Sequence, residues 1–600
     1  MISPIPPAIL FIFGAFVIPF LRGKALSIYL LSLPVLGFIN FINLPEGVHY
    51  SINFLEYKLI VVKVDKISIF FGYIYHIITF IALLYSLHVK EPAQHIASIV
   101  YSGAALGVVF AGDLFTLFIF WEMMAFSAFY LIWASRTKES YTAGLRYLLV
   151  HIVGGLFLLF GVVIRYFETG SLSFGYIGLD GLSSWLIFLG FGINCAFPGL
   201  HAWLPDAYPK TTPTGGVFMW TFTTKTAIYV LARAFPGEEI LIWIGAIMTV
   251  FPIFFAVIEN DLRKVLSYSL INQLGYMVTG IGIGTQLSLN GTFSHVFCHI
   301  LYKALLVMSM GAVIYRTGKI KCTDLGGLYK SMPLTALFCI IGAASISAFP
   351  LFSGFVSKSM VVEASAIEGL VPIWFMLTFA SVGVLEHAGI KVPYYAFFAH
   401  DSGIRTKESP LHMLIAMGIT AFLCIFIGVM PSFLYSLLPY PVNFEPYTAS
   451  HIVSTTQLLL AGILAYVLLM KAGVFPEEMR ATNLDLDWFY RKGAQAFVWF
   501  INNPGSHIMQ RLNTIFFIKI PNFLGWFTKN PLLAVKILID SIILVFSIPE
   551  KREKIKARLR AEKLKYPGDP LLPISVGVLV LWSIFFLLLY LIIYYTRGYM

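Results

Sequence analysis

The sequence predicts an all-α polytopic membrane protein with about 14 to 16 transmembrane helices. Three observations carry this. Apolar stretches of about 20 residues, long enough to cross a bilayer as a helix, recur from one end of the chain to the other. Of 600 residues, 58% are hydrophobic and only 12% charged, against roughly 25% charged in a soluble domain. Mean hydropathy is +0.82. The same numbers argue against a soluble core. Net charge is +11, but much of the excess lies in one run, Lys551 to Lys565. Such juxtamembrane runs set topology or meet anionic lipid, and nucleic acid is not an expected partner. The five cysteines form no CxxC pair, which disfavours an iron–sulfur cluster, a thiol-rich zinc site and a disulfide framework.

In chain order, Pro4–Leu21 and Ala25–Asn43 read as two helices separated by Arg22 and Lys24. The first lacks a leading basic region and a small-residue cleavage site, so it reads as a membrane helix and not as a cleaved signal. Glu46–Lys66 mixes charges with β-prone runs and predicts an extramembrane hairpin. Spans follow at 68–87, 95–111, 114–134, 143–165, 183–200, 212–235, 240–258, 266–284 and 290–315, then at 333–350, 354–366, 370–398, 410–430 and 450–470. From Asn483 to Lys565 aromatic and basic residues interleave with apolar ones. Pro504, Pro521, Pro531 and Pro549 exclude one straight helix there, so amphipathic segments along the membrane or along partner subunits are expected. Leu571–Tyr595 is a last span, with the basic run before it on the cytoplasmic side.

Within the spans a few polar residues stand alone. A charge at mid-bilayer costs roughly 2.5 to 3.5 kcal/mol on insertion scales, so each needs a reason. Glu122 is the one charge between Leu114 and Ser135, and Lys225 lies inside Thr221–Ala227. His295, His299 and Lys303 are spaced i, i+4, i+8 and fall along one helix face. Imidazole titrates near neutral pH, which suits a proton relay. The alternatives are a structural polar seam, or metal ligation, for which no third ligand is evident. An apolar span breaks at Pro198-Gly199, with His201 and Asp206 close behind. Unwound backbone beside charged groups marks a candidate ion path. Gly389-Ile390-Lys391 followed by Pro393 resembles Gly192-Ile193-Asn194 followed by Pro198, and places a second break at Lys391 with Glu386 as its counter-charge. Lys358 is expected nearer an interface. Asp113 suits a helix N-terminus, and Asp261-Leu262-Arg263-Lys264 reads as a loop whose basic residues set orientation.

These residues resemble a known family, the antiporter-like subunits shared by respiratory complex I, membrane-bound hydrogenases and Mrp sodium/proton antiporters. The resemblance rests on Asp113–Glu122, Leu200–Ala207, Thr224-Lys225, Asp261–Ser269, the His295/His299/Lys303 file and Gly354–Lys358. It covers roughly residues 60 to 430. Pro446-Tyr447-Thr448 and Asp485–Arg491 are similar to the long subunit-D branch of the Mrp group. The resemblance implies two inverted five-helix repeats, each with a broken helix, and a lateral segment that clamps neighbouring subunits. It also implies ion-translocating roles for Glu122, Lys225, His295, His299, Lys303 and Lys391. One departure is Asn194, which occupies the position of a family lysine that pairs with the glutamate matched by Glu122.

The expected organisation is 1–94, N-terminal helices and hairpin; 95–258 and 259–400, two antiporter-like halves; 401–482, flanking helices; 483–565, lateral segment; and 566–600, final span. The expected function is proton translocation, with sodium as a second candidate ion, in a multisubunit energy-converting complex of a prokaryotic plasma membrane. No cofactor is expected in this chain, and electron transfer would reside in partners carrying iron–sulfur clusters. The alternatives are a non-redox Mrp-type antiporter subunit, a transport-impaired scaffold, and an intramembrane metalloenzyme.

Overall fold

The computed structural model describes residues 5–55, 57–473, 478–480, 483–568 and 576–597. The expected starts of the first and last spans, Pro4 and Leu571, fall outside the described residues. The chain divides into two units, Met1–Trp488 and Phe489–Met600. Among the described residues ten helices are long and apolar enough to cross a membrane, and four shorter apolar helices accompany them.

In the first unit, α1 (Pro7–Ala15) and α2 (Gly23–Ile42) precede an antiparallel hairpin, β1 (Gly47–Phe54) and β2 (Tyr57–Val64). Asp65 then caps α3 (Lys66–Tyr85), with its carboxylate and Ser68 satisfying each other's backbone N–H groups in a capping box. Asp65 also accepts two bonds from Arg233, each 2.7 Å, which ties the helix start to a distant span. α4 (Pro92–Phe110), α5 (Leu114–Trp133), α6 (Lys138–Thr169), α7 (Leu182–Asn194), α8 (Trp203–Ala207), α9 (Pro213–Met219), α10 (Thr223–Ala234) and α11 (Glu239–Ile258) follow. Then come α12 (Leu262–Ile283), α13 (Gln286–Thr317), α14 (Pro333–Ile346), α15 (Ser353–Ile367), α16 (Val371–Val384), α17 (Lys391–Pro393), α18 (Leu411–Val429), α19 (Pro431–Tyr435) and α20 (Ala449–Lys471).

An internal repeat runs through these elements. Asp113 caps α5 and Asp261 caps α12 through side-chain bonds to the first backbone N–H groups. Thr137 and Thr285 cap the next helices, α6 and α13, each 32 residues long, which end at left-handed Gly170 and Gly318. Isolated bridges Asp113–Ser173 and Asp261–Lys321 close the two copies in the same way. A short helix follows in each, α7 or α14, and ends at an alanine with φ of +60°, Ala196 or Ala348. Both alanines lie in the same tripeptide, Ala-Phe-Pro.

The repeat moves the second break. It lies at Ser347–Phe352, between α14 and α15, and not at Lys391, where the backbone continues from α16 through a π-helical turn (Leu385–Ile390) into α17. A π turn absorbs one extra residue and leaves the helix intact, which a Gly-X-Lys-X-Pro pattern cannot distinguish from a break. Arg263 also departs from expectation. Instead of standing in a loop it is 4% exposed, donates to Thr211 O at 2.7 Å and Thr211 Oγ1 at 2.5 Å, and lies over Trp220. It pins the two copies together.

α11 and α12 pack with their backbones nearly touching. A Cβ on Gly275 would lie 2.6 Å from Gly245 O, and one on Gly245 would lie 2.3 Å from Thr279 N. Small residues at such crossings supply the van der Waals packing that replaces the hydrophobic effect in lipid.

The second unit is helical: α22 (Ser506–Asn513), α23 (Ile520–Lys529), α24 (Pro531–Phe546), α25 (Pro549–Lys565) and α26 (Val576–Arg597), led by α21 (Asp487–Phe500). Pro504 and Pro521 do not interrupt it, because π turns Ile501–Gly505 and Thr514–Lys519 carry the helix on. Pro531 and Pro549 do end helices. α24 and α25 pack through Lys536–Glu562 and Arg558–Asp540, both 3.0 Å. Its aromatic residues, such as Trp499 and Phe517, are exposed.

Candidate ion-translocation site

Three of the buried lysines are held by one device. Lys225 Nζ donates to Trp220 O at 2.5 Å, the residue capping α9, and to Thr224 Oγ1 at 3.2 Å. Lys358 Nζ donates to Ile346 O, the last residue of α14, at 3.0 Å. Lys391 Nζ donates to Val257 O at 2.6 Å and Ala256 O at 3.3 Å, at the end of α11. A helix C-terminus presents unpaired carbonyls and partial negative charge, so an ammonium sits there without a carboxylate on its own element. Lys358 is therefore not an interfacial residue. It is 3% exposed and lies beside the second break.

Lys303 differs. It stands mid-α13, fully buried, and its Nζ has no hydrogen-bond partner among the described residues. Neither ring nitrogen of His299 has one either. His295 is engaged: Nδ1 meets Ser357 Oγ at 3.0 Å and Nε2 meets Gln273 Oε1 at 3.2 Å. Ser357 adjoins Lys358 in sequence, so α13 is joined to α15 at this point. Lys225, Lys303, His295 and Lys358 all lie within Coulombic range of His299, and Lys303, Lys358 and Lys391 within that of His387. Buried Lys and His side chains are thus strung between Lys225 and Lys391, each within Coulombic range of another. A bare buried polar atom costs about 1–3 kcal/mol, so fold stability does not explain Lys303 and His299.

The first half is arranged differently. The Glu122 carboxylate lies against α6, with Oε1 buried and unbonded among the described residues. A Cβ on Gly155 would come within 1.8 Å of that oxygen. Glu122 is only partly buried, and no ion pair joins it to Lys225. Asn194, the last residue of α7, is fully buried with both amide atoms unbonded among the described residues. Buried tyrosines missed in the sequence lie near Glu122. Tyr147 interacts electrostatically with Glu122 and Tyr101, and Tyr101 OH bonds Thr223 Oγ1 at 2.5 Å, two residues before Lys225. Tyrosines are too common in membrane helices to stand out before the fold brings them together. Gly155→Ala is expected to push the Glu122 carboxylate aside and lower ion movement roughly ten- to hundredfold, with complex abundance on native gels unchanged.

The supporting residues divide. Asp113 is structural: it bonds Thr116 N and Oγ1 at 2.7 Å and accepts from Ile60 N at 2.6 Å. Asp206 takes a bidentate pair from Arg146 at 2.7 and 2.9 Å. His201 Nε2 meets Asp485 Oδ1 at 3.2 Å. Lys391 pairs with Glu478 at 2.7 Å and not with Glu386, its expected counter-charge, which lies in the π turn within Coulombic range. Glu478 and Asp485 come from the segment after α20, where sequence spacing gives no hint of contact. The described residues bring together no group of three His, Cys, Asp or Glu able to hold a metal.

Repeated halves, helix breaks and isolated buried Lys and His residues in an apolar helical chain are the features of an antiporter-like membrane subunit. Residues 111–384 match the family described as NADH:quinone oxidoreductase/Mrp antiporter, transmembrane region. The chain is 26% identical over 591 residues to a Na(+)/H(+) antiporter subunit of Alkalihalophilus pseudofirmus, covering 83% of this chain and 71% of that protein. It is 26% identical to hydrogenase-4 component B of Escherichia coli (63% and 64% covered). It is 34% identical over 278 residues to NADH-quinone oxidoreductase subunit N of Desulforudis audaxviator (43% and 55% covered). The chain thus spans between about half and three quarters of these relatives. The fold is shared with a chain of the Mrp complex from Dietzia sp. DQ12-45-1b (TM-score 0.62, 18% identity, 76% of this chain and 99% of that one). It is shared too with a chain of the membrane-bound sulfane sulfur reductase, an archaeal respiratory membrane complex (TM-score 0.67, 23% identity, 90% and 99%).

Proposed function

We propose that this chain moves protons, in exchange for or together with sodium, as one membrane subunit of a multisubunit energy-converting complex. The observation that carries the reading is the file of Lys225, His299, Lys303, His295, Lys358, His387 and Lys391, with bare buried polar atoms at Lys303 and His299. Lys391, Lys303 and Lys225 are the proton-carrying groups, the histidines pass charge between them, and Glu122 serves the first half. Relatives named as sodium/proton antiporter and hydrogenase subunits support both the cation and the multisubunit setting. Redox chemistry, where the complex has it, belongs to partners with iron–sulfur or nickel centres.

In the first half, Asn194 cannot carry a proton. Tyr147, whose hydroxyl is buried and unbonded among the described residues, and the bonded pair Tyr101–Thr223 are the groups placed to pass a proton from Glu122 towards Lys225. Tyr147→Phe is expected to lower ion movement severalfold, about 1 kcal/mol of barrier, while Asn194→Lys brings no gain. A gain with Asn194→Lys in vesicle assays would mean that the site is merely degenerate.

A mild-detergent pull-down of the native chain, with mass spectrometry and metal analysis, tests the setting. Co-purifying iron–sulfur or nickel subunits indicate a redox-driven pump. Small membrane subunits without iron indicate an Mrp-type antiporter, and a chain that purifies alone contradicts both.

A further inference from the structure

Residues 478–480 and 483–487, between α20 and α21, lie along the first unit as a strap. Arg480 Nη2 pairs with Asp324 at 2.7 Å, and Asn483 Nδ2 donates to Ile258 O at 3.1 Å and Glu259 Oε2 at 3.3 Å. Asp485, 6% exposed at its side chain, accepts from Tyr268 OH at 2.8 Å and meets His201 at 3.2 Å. Glu478, 7% exposed, meets Lys391 Nζ at 2.7 Å. Two buried carboxylates thus enter from outside the repeats: Asp485, shared by His201 of the first copy and Tyr268 of the second, and Glu478 at Lys391. Lys391 is itself 1% exposed. Among the described residues, two carbonyls and one carboxylate bond or pair with its ammonium, and of these only the carboxylate can accept a proton.

We infer that Glu478 is the terminal proton acceptor of the file, taking the proton that Lys391 releases. The inference rests on the translocation reading above. The Lys391 ammonium gives one proton to the Glu478 carboxylate, leaving a neutral amine and a neutral acid, and the acid then releases that proton to water. With the pair intact the ammonium and the carboxylate neutralise one another at 2.7 Å. Transfer discharges both groups at once, so no unpaired charge is left buried. Burial raises the Glu478 pKa above the usual carboxylate value, while the charge of Lys391 pulls it back.

The test uses the intact complex in native membrane vesicles. Glu478→Gln is expected to cut ion movement at least tenfold, Glu478→Asp to restore most of it, and the exchange Lys391→Glu with Glu478→Lys to restore part. Arg480→Ala, which removes another ion pair of the same strap, leaves movement unchanged. In wild-type membranes a hydrophobic carbodiimide is expected to join Lys391 to Glu478, detected by peptide mapping. Wild-type movement in Glu478→Gln, or an equal loss in Arg480→Ala, overturns the proposal, as does absence of the cross-link. If the wild-type complex moves no ions, the translocation reading itself falls.

Discussion

Lys303→Met abolishes ion movement without weakening the protein. Its Nζ is buried mid-helix and bonds to no described group, so methionine, of similar length and neutral, removes an uncompensated polar atom and fills the same space. Thermal stability of the purified complex is expected to stay level or rise. Ion movement falls at least a hundredfold, within the range by which a positioned acid–base group contributes to proton transfer. This separation of stability from function distinguishes an ion-handling residue from a structural seam. A destabilised complex with residual transport would favour the seam.

Gly354→Val does the reverse and destroys the fold at the second break. Any Cβ at residue 354 would meet Ser345 O at 1.8 Å and Ser345 C at 3.0 Å. Both are backbone atoms of α14, so no rotamer relieves the clash, and α15 must move away from α14. Overpacking in a tolerant core costs about 1–3 kcal/mol, and here the cost exceeds that because Lys358 also loses its carbonyl on Ile346. Little complex is expected to accumulate in membranes. Gly175→Ala, where a Cβ would meet nothing within 4 Å, is expected to behave as wild type.

The membrane class and the run of spans were legible in the sequence because a bilayer demands long apolar segments. The Glu46–Lys66 hairpin was legible from its β-prone runs. The repeat was legible only in part. Gly389–Pro393 matched a break by residue type, whereas the true counterpart of Ala196-Phe197-Pro198 is Ala348-Phe349-Pro350, which lacks a charged residue to draw the eye. Isolated charges singled out Lys225, Lys303 and Lys391, since each stands out against apolar neighbours, and all three are buried. Their partners were another matter. Backbone carbonyls at helix ends carry no residue signature, and Glu478 reaches Lys391 across many residues of intervening chain. The tyrosine cluster near Thr223 likewise exists only once α4, α6 and α10 are packed.

The most direct measurement of the central claim is ion movement by the purified complex in proteoliposomes, following internal pH and radioactive sodium together. Wild type is compared with Lys225→Met, Lys303→Met and Lys391→Met. The account predicts a pH change in wild type, driven by a sodium gradient or by the complex's own electron donor, and its loss in all three variants with assembly intact. Variants that move ions as fast as wild type would contradict it.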